Sequence, residues 1–135
     1  MSDFIQFPKL VFEEMIAHLR TVYPEEGCGL LSGSEQIISR FYPVENRLHS
    51  PTRYEMNPEA QIKAFIDAEE RGELIQAVVH SHPNGPDIPS HTDILEATYP
   101  ELVYVICSFR KKNHPTVRGY WIQNGAVSAV EIRVV

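Results

Sequence analysis

The chain has 135 residues, 43% of them hydrophobic, and a formal net charge of −6, which suits one hydrophobic core and predicts a single domain over residues 1–135. The acidic balance, with no basic cluster larger than Arg110-Lys111-Lys112, argues against nucleic acid, and no apolar run approaches the length of a membrane span. Cys28 and Cys107 are too few for a disulfide framework, and Met1-Ser2-Asp3-Phe4 lacks the basic region and apolar core of a secretory signal, so the expected location is the cytoplasm.

Apolar residues at 12, 15, 16, 19, 22 and 23 keep helical spacing between Pro8 and Pro24. Gly29 to Gly33 and Ile37 to Val44 flank a short polar turn and read as a hairpin. Asn57-Pro58 opens a second helix, with Asn57 as N-cap and Pro58 in the first turn. Ile62, Phe65 and Ile66 are its expected buried face, and Gly72 its stop. Residues 74–79, Leu-Ile-Gln-Ala-Val-Val, are an almost unbroken apolar run, as in a strand covered on both faces. A Pro/Gly-rich loop follows, and residues 90–97 read as a short helix. Leu102 to Ser108, Val117 to Ile122 and Ala126 to Val134 are three further strands, the last two joined by an Asn124-Gly125 turn. The mixture predicts an α/β (α+β) fold with one curved, mixed but mainly antiparallel sheet flanked by helices.

The chemistry concentrates in His80-Ser81-His82-Pro83, followed by Ser90 and Asp93. Two histidines at i and i+2 of an extended segment point to one face and can reach one metal ion. Asp93 can add a third bond, and three protein ligands plus water is the usual arrangement of a catalytic zinc. Each piece also has a plainer reading. Ser90-x-x-Asp93 resembles a capping box, and a lone His-x-His is common on surfaces. Packing alone does not explain the combination, because histidines at the end of a core strand need partners for their nitrogens.

The spacing His-x-His-Pro, six residues, Ser, two residues, Asp resembles the JAMM signature of MPN-domain metalloproteases, and His80, His82, Ser90 and Asp93 fill it without a gap. Upstream, Pro24-Glu25-Glu26-Gly27-Cys28-Gly29 resembles the family block that carries the catalytic glutamate, in a register that selects Glu26 over Glu25. Asn46, Ser50, Arg53 and Tyr54 resemble the segment before the second helix in short prokaryotic members. The resemblance implies an MPN fold with a barrel-like sheet, helices outside it, and a zinc site at one end.

Zinc held by His80, His82 and Asp93 would lower the pKa of a bound water to about 7. The resemblance implies that Glu26, 54 positions before His80, is the general base. Ser90 is the expected oxyanion donor. His91 should project about 100° from Ser90 on a helix, making it a surface or supporting residue. Asp87, in the loop, either tunes the site or has no role. Cys28 and Cys107 read as core residues. Tyr120 and Trp121 read as packing, and His18, His49 and His114 as surface residues.

The family resemblance implies an amide or isopeptide bond at the C-terminal Gly-Gly of a ubiquitin-like protein. Only 42 residues follow Asp93, and strands fill most of them, so the modifier-gripping insertions of larger members have no room. The chain therefore resembles the minimal prokaryotic subgroup, some of whose members act on small sulfur-carrier proteins. The carrier's extended tail is expected to add as a strand at an exposed sheet edge. Two other readings are a general peptidase or small-amide hydrolase and a non-catalytic MPN scaffold. A zinc nucleobase deaminase is disfavoured, since its Pro-Cys-x-x-Cys block is absent.

Overall fold

The computed structural model describes residues 3–135. In chain order the elements are β1 (Phe4–Phe7), α1 (Lys9–Thr21), β2 (Cys28–Ser34), β3 (Ile37–Val44), α2 (Pro58–Glu70), β4 (Leu74–His82), α3 (His91–Glu96), β5 (Val103–Ser108), β6 (Thr116–Gln123) and β7 (Ala126–Val134). The strands form a closed barrel in the order β1-β3-β2-β4-β5-β6-β7. Pairing is antiparallel except at β1–β3, β1–β7 and β4–β5. The mixed, mainly antiparallel sheet with flanking helices is therefore present.

β1 escapes a local reading. It is four residues long, and its main partner is β7, with Phe4 opposite Glu131. β1 also touches β3 through Gln6 and Ile37, which closes the ring. Closure gives every strand two neighbours, although β3 meets β1 only at Ile37.

Both faces of the central strands are covered, which explains the unbroken apolar run of β4. Ala77 and Val79 pack with Leu31, Val103, Val105 and, from α1, Met15 and Leu19. Ile75 and Val78 face the other way, with Leu30, Tyr104, Ile106 and, from α2, Ala64 and Ala68. α2 is capped as expected: the Asn57 side chain accepts from the Ala60 amide at 3.0 Å. Its exit at Gly72 has φ +76°, and Asn124 and Gly125 both take positive φ in the β6–β7 turn.

The buried face of α2 differs from the one expected. Ile62 is 60% exposed and Ile66 52% exposed. The helix seats the Ala60, Ala64 and Ala68 stripe against the sheet, with Phe65 partly buried beside it. Small side chains let the helix axis approach the strands, and the larger isoleucines are left on the outer face. His18 also departs from expectation: it is half-buried against the Phe41 ring rather than on the surface, and burial lowers its pKa. His49, His91 and His114 are exposed, while Cys28, Cys107, Tyr120 and Trp121 are buried. No helix among the described residues is long and apolar enough to cross a membrane.

Candidate metal centre

β4 alternates its side chains, so His80 and His82 share the face of Val78 and leave the barrel at one end. Their Nε2 atoms lie 3.1 Å apart. Asp93 Oδ2 stands 3.2 Å from His80 Nε2 and 3.0 Å from His82 Nε2. Asp93 is placed by the first turn of α3. The Ser90 hydroxyl accepts from the Asp93 amide at 3.0 Å, and Asp93 Oδ2 accepts from the Ser90 amide at 2.9 Å. This is a reciprocal capping box, so capping and positioning of the carboxylate are one arrangement.

The intervening loop is held at three points. His82 Nδ1 lies 2.7 Å from the Pro86 carbonyl, Ser108 Oγ donates to the Gly85 carbonyl at 2.6 Å, and the Tyr120 hydroxyl donates to the Asp87 carbonyl at 2.7 Å. Asp87 thus contributes its backbone, and its carboxylate pairs loosely with Arg118 at 3.7 Å.

His80 Nε2, His82 Nε2 and Asp93 Oδ2 make a triangle with edges of 3.0–3.2 Å. Tetrahedral zinc with bonds of about 2.0 Å asks for ligand separations of about 3.3 Å, close to this triangle. The donor set of two imidazoles and one carboxylate also suits zinc. His82 supports the fit, since donation from its Nδ1 to Pro86 leaves Nε2 with its lone pair free.

Glu26 reaches this end of the barrel by strand pairing. Cys28 lies opposite His80, the Gly27 amide donates to the Ser81 hydroxyl at 2.8 Å, and the Ser81 amide donates to the Gly27 carbonyl at 3.0 Å. A Cβ on Gly27 would come within 2.6 Å of the Val22 side chain and 2.9 Å of the Leu19 side chain, so a larger residue beside Glu26 would have to displace both. The Glu26 amide donates to the Ser50 carbonyl at 2.8 Å, and its carbonyl accepts from Asn46 Nδ2 at 3.0 Å. Glu26 is 4% exposed, and its Oε1 has no hydrogen-bond partner. Glu25, by contrast, is only partly buried and sits 3.1 Å from His49.

Burial pushes the Glu26 carboxyl up to about 8, with the Asp93 charge adding and the His82 charge opposing. Burial would also raise the Asp93 carboxyl, but hydrogen bonds from both imidazoles hold it well below the usual carboxylate range. Desolvation lowers His80, with Asp93 opposing. Burial acts to lower His82 as well, yet Asp93 and the Pro86 carbonyl raise it overall. The Cys28 thiol is pushed up to about 12 by burial, which removes it as a nucleophile.

Two residues named in the sequence without a role have one here. Asn46 uses its whole amide: Nδ2 donates to the carbonyls of Glu26 and Arg53, and Oδ1 accepts from the amides of Leu48 and Glu55. Tyr54 stacks on His80, with ring centroids 4.5 Å apart. Beside Asp93 opens a cleft of about 420 Å³ whose lining includes Tyr54, Met56, Gln61, Tyr99 and Tyr104. Arg53 and Glu96 also line it and pair with each other. Its walls come from elements far apart in sequence, so no local motif announces it.

A barrel whose end gathers two histidines, an aspartate and a buried glutamate defines a JAB/MPN-type domain with a side-chain cluster that could hold a metal ion. Residues 8–123 match the family described as prokaryotic homologs of the JAB domain, and the chain belongs to that family. It is 36% identical over 123 residues to the CysO-cysteine peptidase of Mycobacterium tuberculosis, covering 90% of this chain and 84% of that protein. It is 41% identical over 100 residues to a probable TtuB-protein conjugate cleaving protease of Thermus thermophilus, covering 73% of this chain and 66% of that protein. A solution structure from Desulfitobacterium hafniense superposes with a TM-score of 0.90 at 34% identity, over 98% of this chain and 93% of that one.

Proposed function

We propose that this chain, as one catalytic domain, is a zinc-dependent peptidase or isopeptidase that cleaves the amide bond after the C-terminal Gly-Gly of a small sulfur-carrier or ubiquitin-like protein. The observation that carries the reading is the triangle of His80, His82 and Asp93 together with the buried Glu26 carboxylate, whose Oε1 has no hydrogen-bond partner. The names of the relatives, which cleave CysO and TtuB adducts, support the substrate class.

His80, His82 and Asp93 would hold the metal. When bound, zinc supplies a positive charge that lowers the pKa of water and polarises the scissile carbonyl. Glu26 acts as general base: its carboxylate accepts the proton of the attacking water and returns it to the leaving amine nitrogen. A nearby cation favours the ionised carboxylate and so opposes the desolvation that raises Glu26 in the metal-free chain. The Ser90 hydroxyl accepts from the Asp93 amide, which leaves its own proton free to donate to the oxyanion of the tetrahedral intermediate. The cleft beside Asp93 receives the extended part of the substrate. Two buried free cysteines fit a reducing cytoplasm as the place of action.

The test is to incubate the zinc-loaded protein with a Gly-Gly carrier bearing one extra C-terminal residue and to follow mass. Release of that residue, with no cleavage of short unstructured peptides, is the expected result. Cleavage of the peptides alone would instead mark a general peptidase. Inertness toward both, with zinc bound, would leave a scaffold.

A further inference from the structure

The ring nitrogen of a ligating histidine that faces away from the metal ordinarily donates to a carboxylate, a carbonyl or water, and that bond fixes the ring. His82 follows this pattern through Pro86. His80 does not: its Nδ1 is buried without a hydrogen-bond partner. The face of the His80 ring instead lies on the Tyr54 phenol, with planes 23° apart and centroids at 4.5 Å. His82 meets the same imidazole at 61°, with centroids 4.9 Å apart, so the ring is confined from a second direction.

Tyr54 is itself delivered rigidly. The carbonyl of Arg53 before it and the amide of Glu55 after it are both bonded to the Asn46 side chain. Asn46 and Met56 then form an isolated bridge. The loop therefore fixes the phenol on both sides in sequence, and Asn46 ties the same loop to Glu26.

We infer that Tyr54 is the positioning residue for His80, its stacked ring doing for this imidazole what a hydrogen bond does for His82. The inference rests on the reading of His80, His82 and Asp93 as a metal centre. An imidazole bound through Nε2 loses electron density, and the electron-rich face of a phenol is a favourable neighbour for it. The contact is face to face, so the ring matters and the hydroxyl does not. Tyr54→Phe keeps the face, whereas Tyr54→Leu keeps apolar bulk and removes it.

Zinc affinity, measured by chelator competition on the whole chain, tests this without reference to turnover. Tyr54→Phe should bind within about twofold of the parent, and Tyr54→Leu should lose about 10- to 100-fold with unchanged far-ultraviolet circular dichroism. In the zinc-loaded parent, the carbon-bound ring protons of His80 should resonate upfield of those of His82. That displacement should vanish in Tyr54→Leu. Parental affinity in Tyr54→Leu, or an equal loss in Tyr54→Phe, overturns the inference. Should the leucine variant not fold, the parent's ring protons decide: no upfield displacement at His80 means no stack. A parent that fails to bind zinc overturns the metal centre and this role with it. A parent that binds zinc while Tyr54→Leu matches it overturns the role of Tyr54 alone.

Discussion

The amide of Gly27 donates to the hydroxyl of Ser81 at 2.8 Å, across 54 positions of sequence. This buried bond joins the backbone beside Glu26, just before β2, to the residue between His80 and His82 at the end of β4. Ser81 points away from the histidines, as strand alternation requires, and is fully buried. Ser81→Ala strands the Gly27 amide, which should cost about 1–3 kcal/mol of stability. Urea unfolding checks the cost. If the amide matters to register, turnover should fall while zinc content stays at the parent level.

Glu26→Gln keeps the size of the side chain and removes the proposed base. Zinc content should be unchanged, because the three groups that could hold the metal do not include Glu26. Cleavage of a Gly-Gly carrier adduct should slow by about 10²- to 10⁴-fold, the usual contribution of a positioned acid–base group. Parental turnover with zinc bound would remove Glu26 from the mechanism.

Much of the fold and of the site is legible in the sequence. Local signals were strong where one element carried them: Asn57 at a helix start, Asn124-Gly125 at a turn, and two histidines at strand spacing. The trio gathers because His80, Ser81 and His82 end one strand, and Ser90 and Asp93 begin the next helix a short loop later. What stayed hidden depends on distant pairings. β1 is defined by β7, the barrel closes through Gln6 and Ile37, and the place of Glu26 follows from the Cys28–His80 pairing. Only a family resemblance placed Glu26 there. On α2, hydrophobicity favoured isoleucine where close packing favoured alanine.

Ser90 is asked to do two things, and they separate by magnitude. Ser90→Ala removes the N-cap of a six-residue helix and should cost about 1 kcal/mol. Removing an oxyanion donor should cost about 10²- to 10³-fold in turnover. Ser90→Thr retains a hydroxyl for both roles and should recover most of each. Thermal unfolding and steady-state rates on the same variants make the comparison. A turnover loss no larger than the stability loss explains would reduce Ser90 to a cap.

His82→Ala should abolish saturable zinc binding while leaving the barrel intact. The core of β4 is carried by Ile75, Ala77, Val78 and Val79, none of which depends on the imidazole. Asp93 would keep its bonds to the Ser90 amide and to His80. Calorimetric titration with zinc, beside circular dichroism of the metal-free protein, tests both halves. Global unfolding of the variant would mean that the metal, or this side chain, is structural.

The metal-free protein should lose stability as pH rises, because of Glu26. Its carboxyl titrates near 4.5 when free and is pushed up to about 8 in the fold. Between these values the native state holds a proton that the unfolded chain has released. Stability from this group is therefore fully present below pH 4.5 and is lost as pH climbs through about 8. The ceiling on the change is about 5 kcal/mol at 1.36 kcal/mol per unit. His82, also raised, acts in the same direction, whereas Asp93, lowered, contributes stability that disappears only in acid. Glu26→Gln isolates the first effect, since an amide does not ionise. With chelator present, urea midpoints of parent and variant should agree near pH 4 and separate by pH 8.5, the variant being the more stable. Saturating zinc should close that gap by stabilising the charged carboxylate. Midpoints that run parallel across the whole range would show that Glu26 is not desolvated as the fold requires.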